Sequence, residues 1–254
     1  MLSVGIDIGS TATKAVVFEG KILGQAMEQT GWDPKEAGIK AFRHALEMAG
    51  ITEDRLGPIV STGYGRISLP FFTSRVTEIT CHARGAHHLH PGTRTVIDIG
   101  GQDCKVISLS DDGSVADFIM NDKCAAGTGR FLQVMAGILD VTLGELGALA
   151  AGAEPVPLSS MCTVFAESEV IGLLARGTGK ESIAAGIIDT IARRIQGLAG
   201  RVPFRDTVSF TGGIAQNGDI CQIIAKRLGT RLHVPVEPQF VGALGAALIG
   251  LEGS

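Results

Sequence analysis

The chain has 254 residues, 45% hydrophobic and 5% aromatic, and its 22 lysines and arginines against 26 acidic residues give a formal net charge of -4. That balance, with no basic run longer than a pair, argues against electrostatic nucleic-acid binding. The N-terminus has no signal-like pattern, and every apolar run falls short of the roughly 20 residues a membrane span needs, so a cytoplasmic protein with no membrane contact is expected.

The first predicted element is a hairpin. VGIDIGSTATK (4–14) is an apolar strand with an aspartate before a glycine turn, and AVVFEG (15–20) continues as a second β-rich run. PKEAGIKAFRHALEMAGI (34–51) has helical spacing, and PIVSTG (58–63) reads as the next strand. CHARGAHHLH (81–90) concentrates one cysteine and four histidines but lacks a four-ligand zinc spacing, and HHLH before Pro91 looks like an exposed helix end.

TVIDIGGQDCK (95–105) then repeats the first hairpin ninety-one positions on. Ile6 matches Ile97, Asp7 matches Asp98, Ile8 matches Ile99, Gly9 matches Gly100 and Lys14 matches Lys105, and VISLS (106–110) takes the place of AVVFEG. Backbone N–H groups in such turns form anion-binding nests, and an aspartate beside one can hold Mg²⁺ through water. Two facing copies would clamp a polyphosphate. The chain therefore reads as alternating α and β in two lobes. Residues 1–94 with a terminal helix at 240–254 are expected to form the first lobe, and residues 95–239 the second.

Five cysteines, an odd number, favour reduced thiols or a metal site over disulfides. Cys124 precedes a helical pattern containing Phe131, Met135 and Ile138, and Cys162 one containing Phe165, Val170 and Leu173. Each cysteine thus lies near a helix start, where thiolate is favoured. Two thiolates cannot complete a four-ligand iron-sulfur cluster, but a twofold axis in a homodimer would supply two more. The alternative is that both are small buried hydrophobes. Cys104 and Cys221 read as packing residues, and Glu167 and Glu169, two apart on a helix, as capping or interface residues rather than a catalytic pair.

ESIAAGIIDTIARRIQGLAGRV (181–202) is a long amphipathic helix. The glycine turn TGGIAQN (211–217) sits between VSF (208–210) and the helix DICQIIAKRLG (219–229), where a backbone can approach a nucleotide closely. FVGALGAALIGL (240–251) closes the chain as a small-residue helix suited to tight packing.

GIDIGSTATK, TGYGR (62–66), EITCHARGA (78–86), DIGGQDCK, NDKCAAGTGRF, CTVFAESEV, TGGIAQN and GALGAAL (242–248) together resemble the ATP-dependent activators of 2-hydroxyacyl-CoA dehydratases. The ATPase subunits of benzoyl-CoA reductase and the reductases of double-cubane-cluster proteins share these motifs. The resemblance implies two ribonuclease-H-like lobes of the actin, sugar kinase and heat-shock chaperone ATPase superfamily, with ATP in the interlobe cleft. By motif match it places Asp7, Gly9, Ser10, Thr11 and Lys14 in the first phosphate loop, and Asp98, Gly100, Gly101, Gln102 and Asp103 in the second. Gly212, Gly213, Gln216 and Asn217 fall in the adenosine motif, with Gly127, Thr128 and Gly129 facing the cleft. It further implies Cys124 and Cys162 of each subunit as ligands of one 4Fe-4S cluster per homodimer, ATP/ADP and Mg²⁺ as cofactors, ferredoxin or flavodoxin as electron donor, and a partner iron-sulfur dehydratase or reductase. Asp7 and Asp98 are then expected to contact Mg²⁺ through water, with Gln102 or Asp103 beside the attacking water. A sugar or acetate kinase on the same fold, and a chaperone-like ATPase, are the rivals.

Overall fold

The computed structural model describes residues 1–159 and 162–253; Ser160 and Met161, within the expected second lobe, and Ser254, the end of the expected terminal helix, lie outside them. Ser3–Ile8 (β1) is buried along its whole length, which is why it reads as an apolar run rather than an alternation. It turns back into Ala12–Phe18 (β2), antiparallel, with Asp7 opposite Lys14, and on into Ile22–Gln29 (β3).

Pro34–Ala49 (α1) is bounded by its own sequence. The Asp33 carboxylate accepts from the Glu36 amide at 3.0 Å, Pro34 takes a position that needs no N–H, and Gly50 ends the helix in the left-handed region. Its Ala41, Phe42, Ala45 and Leu46 pack on Ile6, Ile8 and Ala15 of the sheet. Ile59–Thr62 (β4) then pairs parallel with β1, and Ser74–Arg75 (β5) adds a short edge. Glu78–Leu89 (α2) leads to the second half.

That half repeats the first strand for strand. Thr95–Ile99 (β6), Cys104–Leu109 (β7) and Val115–Asn121 (β8) form the meander, again with aspartate opposite lysine, Asp98 against Lys105. Gly129–Ile138 (α3), Leu143–Ala150 (α4), Thr163–Ala175 (α5) and Lys180–Ala199 (α6) follow, then Val208–Gly212 (β9), Gly218–Leu228 (α7), Leu232–His233 (β10) and Val241–Glu252 (α8). The sheet orders are β3-β2-β1-β4-β5 and β8-β7-β6-β9-β10, so the duplication visible in one hairpin extends to all ten strands. The halves differ in one connection: α1 and a single 3-10 turn join β3 to β4, whereas four α-helices among the described residues join β8 to β9.

Two helices lie between the sheets. α8 lays Ala243, Leu244, Ala247 and Leu248 on Val16 and Phe18 of the first sheet. α2 lays Ile79, Ala83 and Ala86 on Val96, Ile107 and Leu109 of the second, while its Cys81 meets Val60 and Ala246. The two helices cross at backbone contact, because a side chain on Gly245 would collide with the Cys81 carbonyl.

The core of the second half is larger. Phe131, Leu132 and Met135 of α3, Ile187, Ile188 and Ile191 of α6 and Ile220 of α7 surround Ile97, Val106 and Phe210 of the sheet. No single described helix is long and apolar enough to cross a membrane; α3 and α4 are apolar as a bent pair, at 75°, but bury their apolar residues in this core.

Candidate active site

Both aspartates of the repeat end a central strand, beside the strand that pairs parallel to it. Asp7 stands opposite Thr62 in the β1/β4 register and Asp98 opposite Thr211 in the β6/β9 register. Each parallel strand runs into a glycine with positive φ, Gly63 at +86° and Gly212 at +89°, and a side chain on either would press on the neighbouring aspartate. The two turns meet across the halves: a Cβ on Gly101 would collide with the Thr11 hydroxyl and lie 3.7 Å from Ser10 Oγ. Asp7, Gly9, Ser10, Thr11 and Lys14 are thereby brought to Gly100, Gly101 and Asp103.

The two turns are held differently. Lys14 Nζ is 3.9 Å from Asp7 and also donates to the Ala12 carbonyl at 3.2 Å, a loose pair that leaves Asp7 with accepting capacity. Lys105 is almost fully buried and sits 3.0 Å from Asp98, 2.7 Å from Asp103 and 3.7 Å from Glu78. Burial opposes its charge, but the three carboxylates outweigh that and hold its pKa above the ordinary lysine range. Asp98 also accepts from Thr211 Oγ1 at 2.8 Å and has His82 Nδ1 at 3.4 Å. Burial pushes its carboxyl upward, yet the charges of His82 and Lys105 and the hydrogen bonds from Thr211 and Lys105 hold it well below the usual carboxylate range. Gln102 is exposed at the tip of the turn and Asp103 is half-buried beneath it.

Glu78, at the start of α2, faces the same cluster. Burial, less the pull of Lys105 and reinforced by Asp103, Asp7 and Asp98, raises its pKa from 4.5 to about 7. The folded protein therefore keeps this proton to higher pH than the unfolded chain. The resulting stability is complete below about 4.5 and is lost as pH rises through about 7. In the nucleotide-free protein Glu78→Gln is expected to gain stability relative to the native chain between pH 5 and pH 8, by on the order of 2 kcal/mol. Urea midpoints at the two pH values measure this, and an equal offset at both would refute it.

The TGGIAQN turn, expected to meet adenosine, borders a cleft of about 350 Å³ lined by Leu143, Gly144, Gly213, Gln216, Asn217 and Asp219 among others. Asn217 caps α7 by accepting from the Ile220 amide and donates to the Leu143 and Gly144 carbonyls, tying α7 to the start of α4. Ile214 of this motif and Gly101 of the second turn approach the same point on α3, Gly129.

α3 is joined directly to the second turn. The Gly129 amide donates to Gly100 O and the Arg130 amide to Gly101 O, both at 2.9 Å, so amides of the first helical turn, which lack intrahelical partners, are satisfied by the second glycine turn. Thr128 is fully buried and donates its hydroxyl to Ala125 O at 2.7 Å, and Gly127 turns the chain at φ +90°. Upstream, Asn121 Nδ2 donates to the carbonyls of Cys124 at 2.8 Å and Ala126 at 3.0 Å, holding the loop in shape.

Cys124 and Cys162 are both exposed, and Cys81, Cys104 and Cys221 are buried. Burial pushes the Cys81 and Cys104 thiols up to about 12, which suits packing rather than ligation. Cys162 is the N-cap of α5, as its position before that helix suggests. Cys124 departs from expectation, standing five residues before α3 because Thr128 takes the N-cap position. Phe165, one of the apolar positions in the helical pattern of α5, is 68% exposed beside Val164 at 68% and Ile171 at 51%; Ala166 and Val170 alone are buried on that helix. Glu169 receives the Ser159 amide and hydroxyl, anchoring the approach to Cys162. Among the described residues no group of three or more potential metal ligands gathers, in CHARGAHHLH or elsewhere.

Residues 4–250 match the BadF/BadG/BcrA/BcrD ATPase family. The chain belongs to that family. An activator of lactoyl-CoA dehydratase from Anaerotignum propionicum is 44% identical over 260 residues, covering 100% of this chain and 99% of its own. The structure of the activator of the 2-hydroxyisocaproyl-CoA dehydratase from Clostridium difficile with bound ADPNP aligns with a TM-score of 0.93 at 41% identity, over 100% of this chain and 95% of that one. A ROK family glucokinase from Streptomyces griseus in complex with glucose and AMPPNP aligns over 100% of both chains with a TM-score of 0.63 at 16% identity, a likeness of fold alone. This BadF/BcrA-type ATPase thus has the two-lobed architecture of the sugar kinases that the motifs implied.

Thr62, Glu78, His82 and Thr211 were not among the expected site residues of this ATPase. One signal could have found two of them: TG at 62–63 and TG at 211–212 close β4 and β9, the strands parallel to the central ones, in the same way.

Proposed function

We propose that this ATPase is an activator of a 2-hydroxyacyl-CoA dehydratase or a related reductase, and that it delivers single low-potential electrons to that iron-sulfur partner. The observation that carries this reading is the pair of hydrogen bonds from Gly129 and Arg130 to the Gly100 and Gly101 carbonyls, which couples a phosphate loop to the helix following Cys124.

The donor set fits a shared cluster. A 4Fe-4S cluster takes four thiolates, and each chain offers two exposed ones, Cys124 and Cys162. Val164, Phe165 and Ile171 supply an apolar surface on the cysteine-capped helix that a second copy would cover. The homodimer would thus complete the ligand set. When bound, the cluster would take up and release one electron, with reduced ferredoxin or flavodoxin as the source.

Mg²⁺ fits the nucleotide turns through water rather than through bare carboxylates. Asp7, loosely paired with Lys14, would accept from a metal-bound water, whereas both oxygens of Asp98 are already engaged. Lys14 would turn to the phosphates, the Ser10–Thr11 and Gly100–Gly101 turns would cradle them from both sides, and Gly213 and Gln216 would border the adenosine. Gln102, exposed at the tip, and Asp103 would flank the attacking water. Moving Gly100 and Gly101 toward a γ-phosphate would carry α3 with them, giving ATP different contacts in two interlobe arrangements.

Anaerobic purification with iron analysis and sedimentation tests this reading. A brown dimer with about four irons that activates a dehydratase only with ATP and a reduced ferredoxin is expected. A colourless monomer that phosphorylates a sugar or carboxylate would replace it with the kinase reading.

A further inference from the structure

His82 has no part in the glycine turns themselves, yet it stands beside Asp98, which precedes the second of them. It lies on α2 and is 5% exposed. Nδ1 is 3.4 Å from Asp98 Oδ1 and 3.3 Å from Thr211 Oγ1. The carboxylate can only accept and the Thr211 proton already goes to it, so the remaining proton in this triad belongs on Nδ1.

The other edge of the ring faces α8. A Cβ on Gly242 would stand 2.9 Å from His82 Nε2 and 3.1 Å from Asp7 Oδ2, so glycine at 242 is what lets the ring and the Asp7 carboxylate close on the same point. The imidazole thus stands beside Asp98 and faces Asp7 across Gly242, at the crossing of the two interlobe helices, where backbone contact at Gly245 leaves little room for adjustment.

We infer that His82 is a positioning residue for ATP hydrolysis, donating its Nδ1 proton to Thr211 Oγ1, which in turn donates to Asp98, and setting the spacing of Asp98 and Asp7 across Gly242. The inference rests on the reading that these two aspartates serve the nucleotide. Its effect is on geometry: ATP binds through the turns whether or not the ring is present, but the water and metal-bound groups reach their working distances only when the aspartates are held at one separation.

The test compares His82→Asn, His82→Gln and His82→Leu. Asparagine places an N–H where Nδ1 stands, glutamine places one where Nε2 stands, and leucine places none. Steady-state kcat and KM for MgATP are measured below the thermal midpoint of each variant, with the dissociation constant of a non-hydrolysable ATP analogue measured separately. Expected are a kcat within about fivefold of native for asparagine, a fall of about 30- to 100-fold for glutamine and leucine, and an analogue affinity within about threefold throughout. A leucine variant with native kcat, an asparagine variant no better than glutamine, or analogue affinity falling in step with kcat overturns the proposal. Asp98→Asn separates the two levels of argument: native turnover in that variant would remove the role of Asp98 itself, whereas impaired turnover there with unimpaired His82→Leu would remove only that of His82.

Discussion

Lys105→Met is expected to destabilise the protein by about 3–5 kcal/mol, because it strands three carboxylates around a buried position. Asp98, Asp103 and Glu78 lie within 3.7 Å of one ammonium that is 2% exposed. A urea denaturation midpoint measures the loss. Lys105→Met combined with Asp103→Asn should recover part of it, since each removed charge lowers the repulsion left behind, and the cycle gives the coupling directly. Lys14→Met, its counterpart in the first half, should cost less than half as much, because Lys14 is more exposed and 3.9 Å from Asp7. Equal losses at the two lysines would show that the halves hold their aspartates alike.

Cys124→Ser and Cys162→Ser are each expected to reduce iron from about four atoms per dimer to less than one, because either change removes two of four ligands at a shared cluster. ATP-analogue binding should survive in both, since neither side chain lies in the phosphate turns. Cys104→Ser is the control: Cys104 is buried in the second core behind the Asp98 turn, and its variant should keep its iron. Four irons and unchanged spectra in Cys124→Ser would eliminate the shared-cluster proposal, and iron loss in Cys104→Ser would move it elsewhere.

The duplication was legible because both copies keep aspartate opposite lysine in an antiparallel pair, a constraint that fixes residue type and spacing together. The strands β3 and β8 were not, for a physical reason. In β8 Ala116, Asp117 and Phe118 are all exposed, so this edge strand carries no apolar run and no clean alternation. The exposure of Phe165 was not legible, because helical spacing records which residues share a face, not whether this chain covers it. His82 was hidden among three neighbouring histidines that share its residue type but not its burial. Its partner Thr211 is 129 residues away and Asp98 lies on another element, a proximity set by the β6/β9 pairing together with the packing of α2 on the second sheet.

The lengthened connection between β8 and β9 bears on how such a protein could arise. Both aspartate turns and both central strand pairs are complete without it, since the first half closes the same sheet with α1 and one short turn. The segment containing both exposed cysteines is thus an addition to the repeated plan, packed on the second sheet and joined to the second turn by the Gly129 and Arg130 amides. Lineages could lose the thiols and retain a nucleotide-driven motor, or keep the two amide contacts and place a different payload on the same lever.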